Sequence, residues 1–180
     1  MVPDFLSHYY ECARGPFRSL SDLTPDEAQR VQADLRQQAL TFAAQRQPDY
    51  LQVRRALEER VRALFIAKGG RPSRMHPHSM LLGACDWVRS WYVNGCDLRV
   101  PLAQFAADEV SFTYGDIFPA MRFGDGKPYR GHVYTLQELP TLIGEFGLPQ
   151  DWNPNGHRGL DRYIEAQVWS DKPVAEFLAG

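Results

Sequence analysis

Lys68–Trp91, KGGRPSRMHPHSMLLGACDWVRSW, divides the chain. Two segments with helical periodicity precede it, and most of what reads as strand follows it. Between Arg60 and Cys85 there is no Asp or Glu, yet Arg60, Arg62, Lys68, Arg71, Arg74, His76 and His78 all fall there. Gly69-Gly70 stops a helix, and Pro72 and Pro77 exclude another, so Arg71–His78 is loop or extended chain. Met80-Leu81-Leu82 reads as a short buried strand closed by Gly83. Asp86 reads as the cap of a short helix from Trp87 to about Val93, ended by Asn94-Gly95.

Upstream, Phe5, Tyr9 and Tyr10 favour a short strand that Gly15-Pro16 stops. Thr24-Pro25-Asp26-Glu27 joins a T-x-x-E capping box to a proline at the first helical position. Ala28, Val31, Leu35, Ala39 and Phe42 carry an apolar face to about Arg46. A second helix starts near Pro48-Asp49, with Tyr50, Val53, Leu57, Val61 and Leu64 on its buried side. Arg54–Glu58 and Arg55–Glu59 are i,i+4 pairs expected on its solvated side, each worth roughly a few tenths of a kcal/mol. The two helices are expected to form an antiparallel hairpin.

Downstream, Leu98-Arg99-Val100 is extended, and Pro101 can open a short helix carrying Leu102 and Phe105. Val110-Ser111-Phe112-Thr113-Tyr114 alternates apolar and polar as a strand does. Gly124-Asp125-Gly126-Lys127-Pro128 is a turn signal, expected to join two strands, and His132–Thr135 is the next strand. A helix follows to Phe146, its start obscured because a Thr135–Glu138 capping box would place Pro140 inside the helix. Residues 147–161 read as a long irregular loop. Tyr163–Trp169 closes the pattern, with Ile164, Ala166 and Val168 inward and Tyr163, Glu165, Gln167 and Trp169 on the other face.

The fold class is therefore α+β in one domain of 180 residues, a length that buries a core without staples. An N-terminal helical hairpin (24–67) is expected to pack on a small, mostly antiparallel sheet from a strand-rich part (75–170). A net charge of -2 argues against a general nucleic-acid binder. No run approaches the ~18 apolar residues of a membrane span, and the amino terminus lacks a secretory pattern. Cys12, Cys85 and Cys96, an odd number at wide spacing, do not read as a disulfide framework. Three small buried hydrophobes in a cytoplasmic protein are expected.

Three constellations can carry chemistry. The loop Lys68-Gly-Gly-Arg-Pro-Ser-Arg brings Lys68, Arg71 and Arg74 around a freed backbone and can clamp a small anionic ligand. His76-Pro77-His78 can supply acid–base chemistry, or two metal ligands if the segment is extended. The third joins a basic residue of the first stretch to Ser111 and Thr113 on one strand and Glu165 and Gln167 on the last.

That order, Arg, then S-x-T, then a paired acid and amide on a strand, is similar to the pattern of the arginine-serine-glutamate class of ADP-ribosyltransferases. The resemblance implies an Arg on the phosphates of NAD, Ser111 and Thr113 supporting the pocket, and a Glu stabilising an oxocarbenium-like centre. The chain departs from it in two ways. The acid, Glu165, precedes the amide, Gln167, whereas the family's catalytic acid comes second, and no Arg lies plainly at the centre of a strand.

The leading expectation is a small enzyme acting on a phosphate-bearing or nucleotide-like ligand, with NAD glycosyl transfer or hydrolysis as one concrete version. Lys68, Arg71, Arg74, Ser111, Thr113 and Gln167 would hold the ligand, and His76, His78 and Glu165 would do the chemistry. The sequence names no cofactor. The competing expectations are a protein-interaction or regulatory domain and a metal-dependent enzyme using His76 and His78.

Overall fold

Alternation along β4 (Val110–Tyr114) and β6 (Ile164–Val168) decides the architecture. The two strands pair antiparallel with Val110 opposite Val168 and Phe112 opposite Ala166, so their apolar sets share one face. The computed structural model describes residues 1–38 and 46–178. Ala39 and Phe42, expected on the apolar face of the first helix, lie outside these. The remaining strands are β1 (Phe5–Glu11), β2 (His78–Leu82), β3 (Gly95–Pro101) and β5 (Tyr134–Thr135). All six form one antiparallel sheet in the order β3-β1-β2-β6-β4-β5.

Both faces of this sheet are covered. On one, Leu6, Met80, Leu82, Val110, Phe112, Ile164 and Ala166 form the main core under α5 (Leu139–Phe146), which contributes Leu139, Leu142 and Ile143. On the other, Trp169 and Val133 meet Leu57, Val61 and Phe65 of α2 (Tyr50–Ala67) and Ile117 and Met121 of α4 (Ile117–Arg122). Beside them Tyr9, Leu81 and Tyr163 meet Cys85 and Val88, the latter in α3 (Asp86–Arg89). Four polar side chains of the second face are linked in a row. The Trp169 indole N–H donates to Ser111 Oγ, Ser111 donates to Gln167 Oε1, and Gln167 Nε2 donates to Thr113 Oγ1. Thr113 ends the row by donating to the Gly115 carbonyl, and such a row spares these groups the cost that unpaired buried polar groups carry.

Several expectations need correction. The sheet is not confined to the second half, because β1 pairs along its whole length with β3 and reaches β2. The capping box at Thr24–Glu27 starts α1 (Pro25–Gln38) as read. Among the described residues α2 packs on α4 and on the 3-10 turn Leu20–Asp22, and α1 leans on the same turn. Arg54–Glu58 is not solvated: Glu58 is fully buried. Arg55 leaves Glu59 and donates to the carbonyls of Ser21 and Leu23.

The Gly124–Pro128 turn follows α4 rather than a strand, and α3 is a single turn. Pro140 does not interrupt a helix, because the Thr135–Glu138 box closes a 3-10 turn and α5 begins after it with the proline in its first turn. Part of 147–161 is the short helix α6 (Pro149–Trp152). At the end of α2, Gly69 has φ 91° and a Cβ on Gly70 would lie 2.5 Å from the Phe65 ring, so only glycine fits there.

Cysteine usage also differs. Cys12 and Cys96 form a disulfide, their Cα atoms 5.2 Å apart across the β1–β3 edge, and Cys85 is a buried thiol. Register explains this: Tyr10 opposes Cys96 and Glu11 opposes Gly95, so just past the strand Cys12 lies against Asn94, diagonal to Cys96, despite a sequence separation of 84. Disulfides persist in oxidising compartments and are rare in the cytosol. Among the described residues no helix is long and apolar enough to cross a membrane.

Candidate functional site

Between the second sheet face and helices α2, α3 and α4 lies a cavity of about 720 Å³. Ser79, Leu81, Tyr163 and Glu165 come to it from β2 and the β6 segment, and Arg54 from α2. Glu165 is only 3% exposed, although a carboxylate is ordinarily driven to water. Its Oε1 accepts from the Ser79 hydroxyl and its Oε2 from the Ile117 N–H at 2.7 Å.

That N–H is available because α4 starts there. Gly115, at φ 91°, ends β4 where a Cβ would meet Asp161 at 2.7 Å, and Asp116 then caps the helix, its Oδ1 accepting from the Phe118 N–H at 2.8 Å. The other oxygen of Asp116 accepts from the Tyr163 hydroxyl at 2.8 Å. Two carboxyl groups thus share the floor of one cavity.

Arg54 is fixed from both sides along its own helix. Its Nε donates to Glu58 at 2.6 Å and its Nη1 to the Tyr50 hydroxyl at 3.0 Å, while Nη2 has no hydrogen-bond partner among the described residues. Glu58 in turn accepts from Ser21 and sits 2.8 Å from His76 Nδ1. Tyr50 stacks on Phe118 at 5.2 Å and carries Arg46 over its ring at 4.2 Å. Trp87 and Trp91 meet edge to face at 4.8 Å, and Trp91 meets Tyr163 at 6.4 Å. Exposed Arg18 and Arg122, with Arg46 and Asp49, surround the mouth.

The electrostatics follow from this packing. Burial, reinforced by the charge of Asp116, pushes the Glu165 carboxyl up to about 7, against the opposing pull of Arg54. Burial and Asp116 hold the Tyr163 phenol well above its usual range. Burial works against the charge on Arg54, but Tyr50, Glu58 and Glu165 more than offset it. His8 is pulled down to about 4, first by burial, so its imidazole is neutral near pH 7. Its Nδ1–H donates to the Ser79 carbonyl at 3.0 Å and its Nε2 accepts from the Phe17 N–H at 2.9 Å. This neutral ring anchors both the strand that carries Ser79 and a non-glycine residue at φ 56°, on the wall of the cavity.

Of the residues expected at a site, Glu165 and His78 line the cavity. His76 and Arg74 belong to the polar network behind it. Arg74 bridges Asp22 and Asp171, His78 Nε2 lies 2.7 Å from the same Asp171, and burial lowers the His78 pKa. The basic loop does not clamp the cavity. Lys68 is paired with Glu138 at 2.7 Å, and Arg71 is 83% exposed with Asp108 at 3.9 Å. Ser111, Thr113 and Gln167 are used up in the network with Trp169.

His76 and His78 are held by different carboxylates, and among the described residues no three His, Cys, Asp or Glu side chains gather as a metal site. The sequence reading missed Arg54, Ser79, Asp116 and Tyr163. A signal existed for Asp116, an acid following glycine at a strand end and able to cap what comes next.

A second buried charge cluster lies away from the cavity. Asp161, fully buried, accepts from Lys127 and Arg130 at 2.7 Å and from Tyr129 at 2.8 Å, clasping the 124–131 loop to the chain before β6. Comparison of this chain with protein-family models, curated proteins and solved structures gives no match.

Proposed function

We propose that this protein is a small enzyme that uses Glu165 for acid–base chemistry on a phosphate-bearing, nucleotide-like ligand held in the cavity. The observation that carries the reading is the buried Glu165 carboxyl on the floor of an aromatic-lined cavity, positioned by Ser79 and the Ile117 N–H. A carboxyl that titrates near 7 can both take and give a proton at neutral pH. A planar ring suits the walls, and Arg18, Arg46 and Arg122 suit phosphate better than Lys68 and Arg71 do.

NAD glycosyl transfer or hydrolysis is the concrete version. Cleavage of a C–N bond at ribose develops positive charge, which Glu165 and Asp116 would stabilise from the floor. The Cys12–Cys96 bridge supports an oxidising compartment, in place of the cytoplasm, as the setting. A protein-interaction domain built on these helices would present an apolar patch on them. Of the described residues of α1 and α2, Ile66 is the one large apolar side chain left exposed, which favours the enzyme.

The test is release of nicotinamide from NAD, followed chromatographically, for wild type and Glu165→Gln. Release by wild type, reduced about a hundredfold or more in the variant, is expected. If NAD, nucleotides and simple phosphates at millimolar concentration neither turn over nor raise the melting temperature, the reading falls.

A further inference from the structure

The cavity is electrically polarised. On its floor the guanidinium of Arg54 is already matched by buried Glu58 at 2.6 Å. Asp116 and Glu165 remain, with no cation bonded to either among the described residues; their partners are the Tyr163 and Ser79 hydroxyls and two backbone N–H groups. The walls are aromatic, and two of their rings already hold cations, Arg46 at 4.2 Å over Tyr50 and Arg162 at 4.0 Å over Trp87. At the mouth the sign reverses, with Arg18, Arg46 and Arg122 against Asp49 alone. Arg18 and Arg122 make no ion pair among the described residues.

We infer that the cavity selects a ligand whose ring carries a fixed positive charge and whose phosphate lies at the other end: a quaternised nitrogen heterocycle bound ring-inward, with its phosphate on Arg18, Arg46 and Arg122. An aromatic cation gains from the ring faces and from the carboxylates together, the more so once water is displaced. A neutral ring of the same shape gains only the stacking, and an anionic ring meets two carboxylates. This inference rests on the reading of the cavity as a small-molecule site and adds the charge pattern of the ligand.

Binding alone tests it, by calorimetric titration with four probes: 1-methylnicotinamide (ring cation), nicotinamide (neutral), nicotinate (anion) and nicotinamide mononucleotide (ring cation with phosphate). At about pH 8 the methylated cation is expected to bind about tenfold tighter than nicotinamide, with nicotinate weakest. The mononucleotide should bind about tenfold tighter again, a gain lost in Arg18→Ala with Arg122→Ala.

Asp116→Asn, which keeps a capping side chain, should erase the preference for the cation. Cation affinity should rise as pH passes upward through about 7, where Glu165 ionises facing Asp116, Arg54 and the neutral His8 and Tyr163. Glu165→Gln should flatten that rise and serves as the second variant if Asp116→Asn misfolds. Equal binding of nicotinamide or nicotinate, or no binding of either cation at millimolar concentration, overturns the inference. Intact charge selectivity without NAD cleavage removes only the catalytic reading, and cleavage without charge selectivity removes only this inference.

Discussion

His76 Nδ1 lies 2.8 Å from one oxygen of Glu58, while the other oxygen of that fully buried carboxylate holds Arg54 at 2.6 Å. Glu58 is therefore the joint between the chain leaving α2 and the cation beside the cavity. Glu58→Ala strands Arg54 without its carboxylate, and a loss of about 3–5 kcal/mol is expected in denaturant unfolding. Glu58→Gln should cost less while still loosening Arg54. A variant within about 0.5 kcal/mol of wild type contradicts this account of Glu58.

Glu165 makes stability depend on pH. Its folded pKa, about 7, lies above the ordinary value of 4.5, so the native state binds the extra proton between the two. The contribution is fully present below about 4.5 and is lost as pH rises through about 7. Relative to Glu165→Gln, wild type should lose on the order of 3 kcal/mol across this window. Parallel pH–stability curves for the two proteins would show that Glu165 titrates normally.

His8 works in the opposite sense. Its folded pKa, about 4, lies below the ordinary 6.5, so its contribution is present above about 6.5 and is lost as pH falls through about 4. In proton NMR the His8 ring signal should stay at its neutral position down to about pH 5. Titration near 6.5 would mean that the Ser79 and Phe17 contacts do not hold the ring.

The Cys12–Cys96 bridge closes a loop over 84 positions of sequence, for which chain entropy gives about 4–5 kcal/mol. Reductant should lower the melting temperature, and Cys12→Ser with Cys96→Ser should match the reduced protein. Thiol titration in denaturant should find Cys85 alone before reduction and all three cysteines after.

Local pattern made the strands and caps legible, because alternation and capping boxes depend on neighbours in sequence. Val110–Tyr114 and Thr24–Glu27 formed as read. Glu165 was also legible as a candidate, as the lone acid on one face of an apolar strand. Its surroundings were not, since Asp116, Ser79 and Arg54 reach it through three separate chain segments. The Arg54–Glu58 spacing was read correctly but assigned to water, because no periodicity reveals that Leu20–Asp22 and His76 cover it. The basic stretch misled in another way. Charge density in sequence does not show that Lys68 and Arg74 spend themselves on Glu138, Asp22 and Asp171.

The last strand in sequence is the fourth across the sheet. While the chain is being synthesised, β1–β2–β3 and β4–β5 can each form, yet nothing joins them until residues 164–168 arrive and pair with β2 on one side and β4 on the other. The cavity floor is laid by that same insertion, since Glu165 reaches Ser79 and Ile117 only from β6. Nascent chains shorter than this should therefore leave the edges of β2 and β4 unpaired and have no binding site, and assembly of the site should coincide with the final, long-range step of folding.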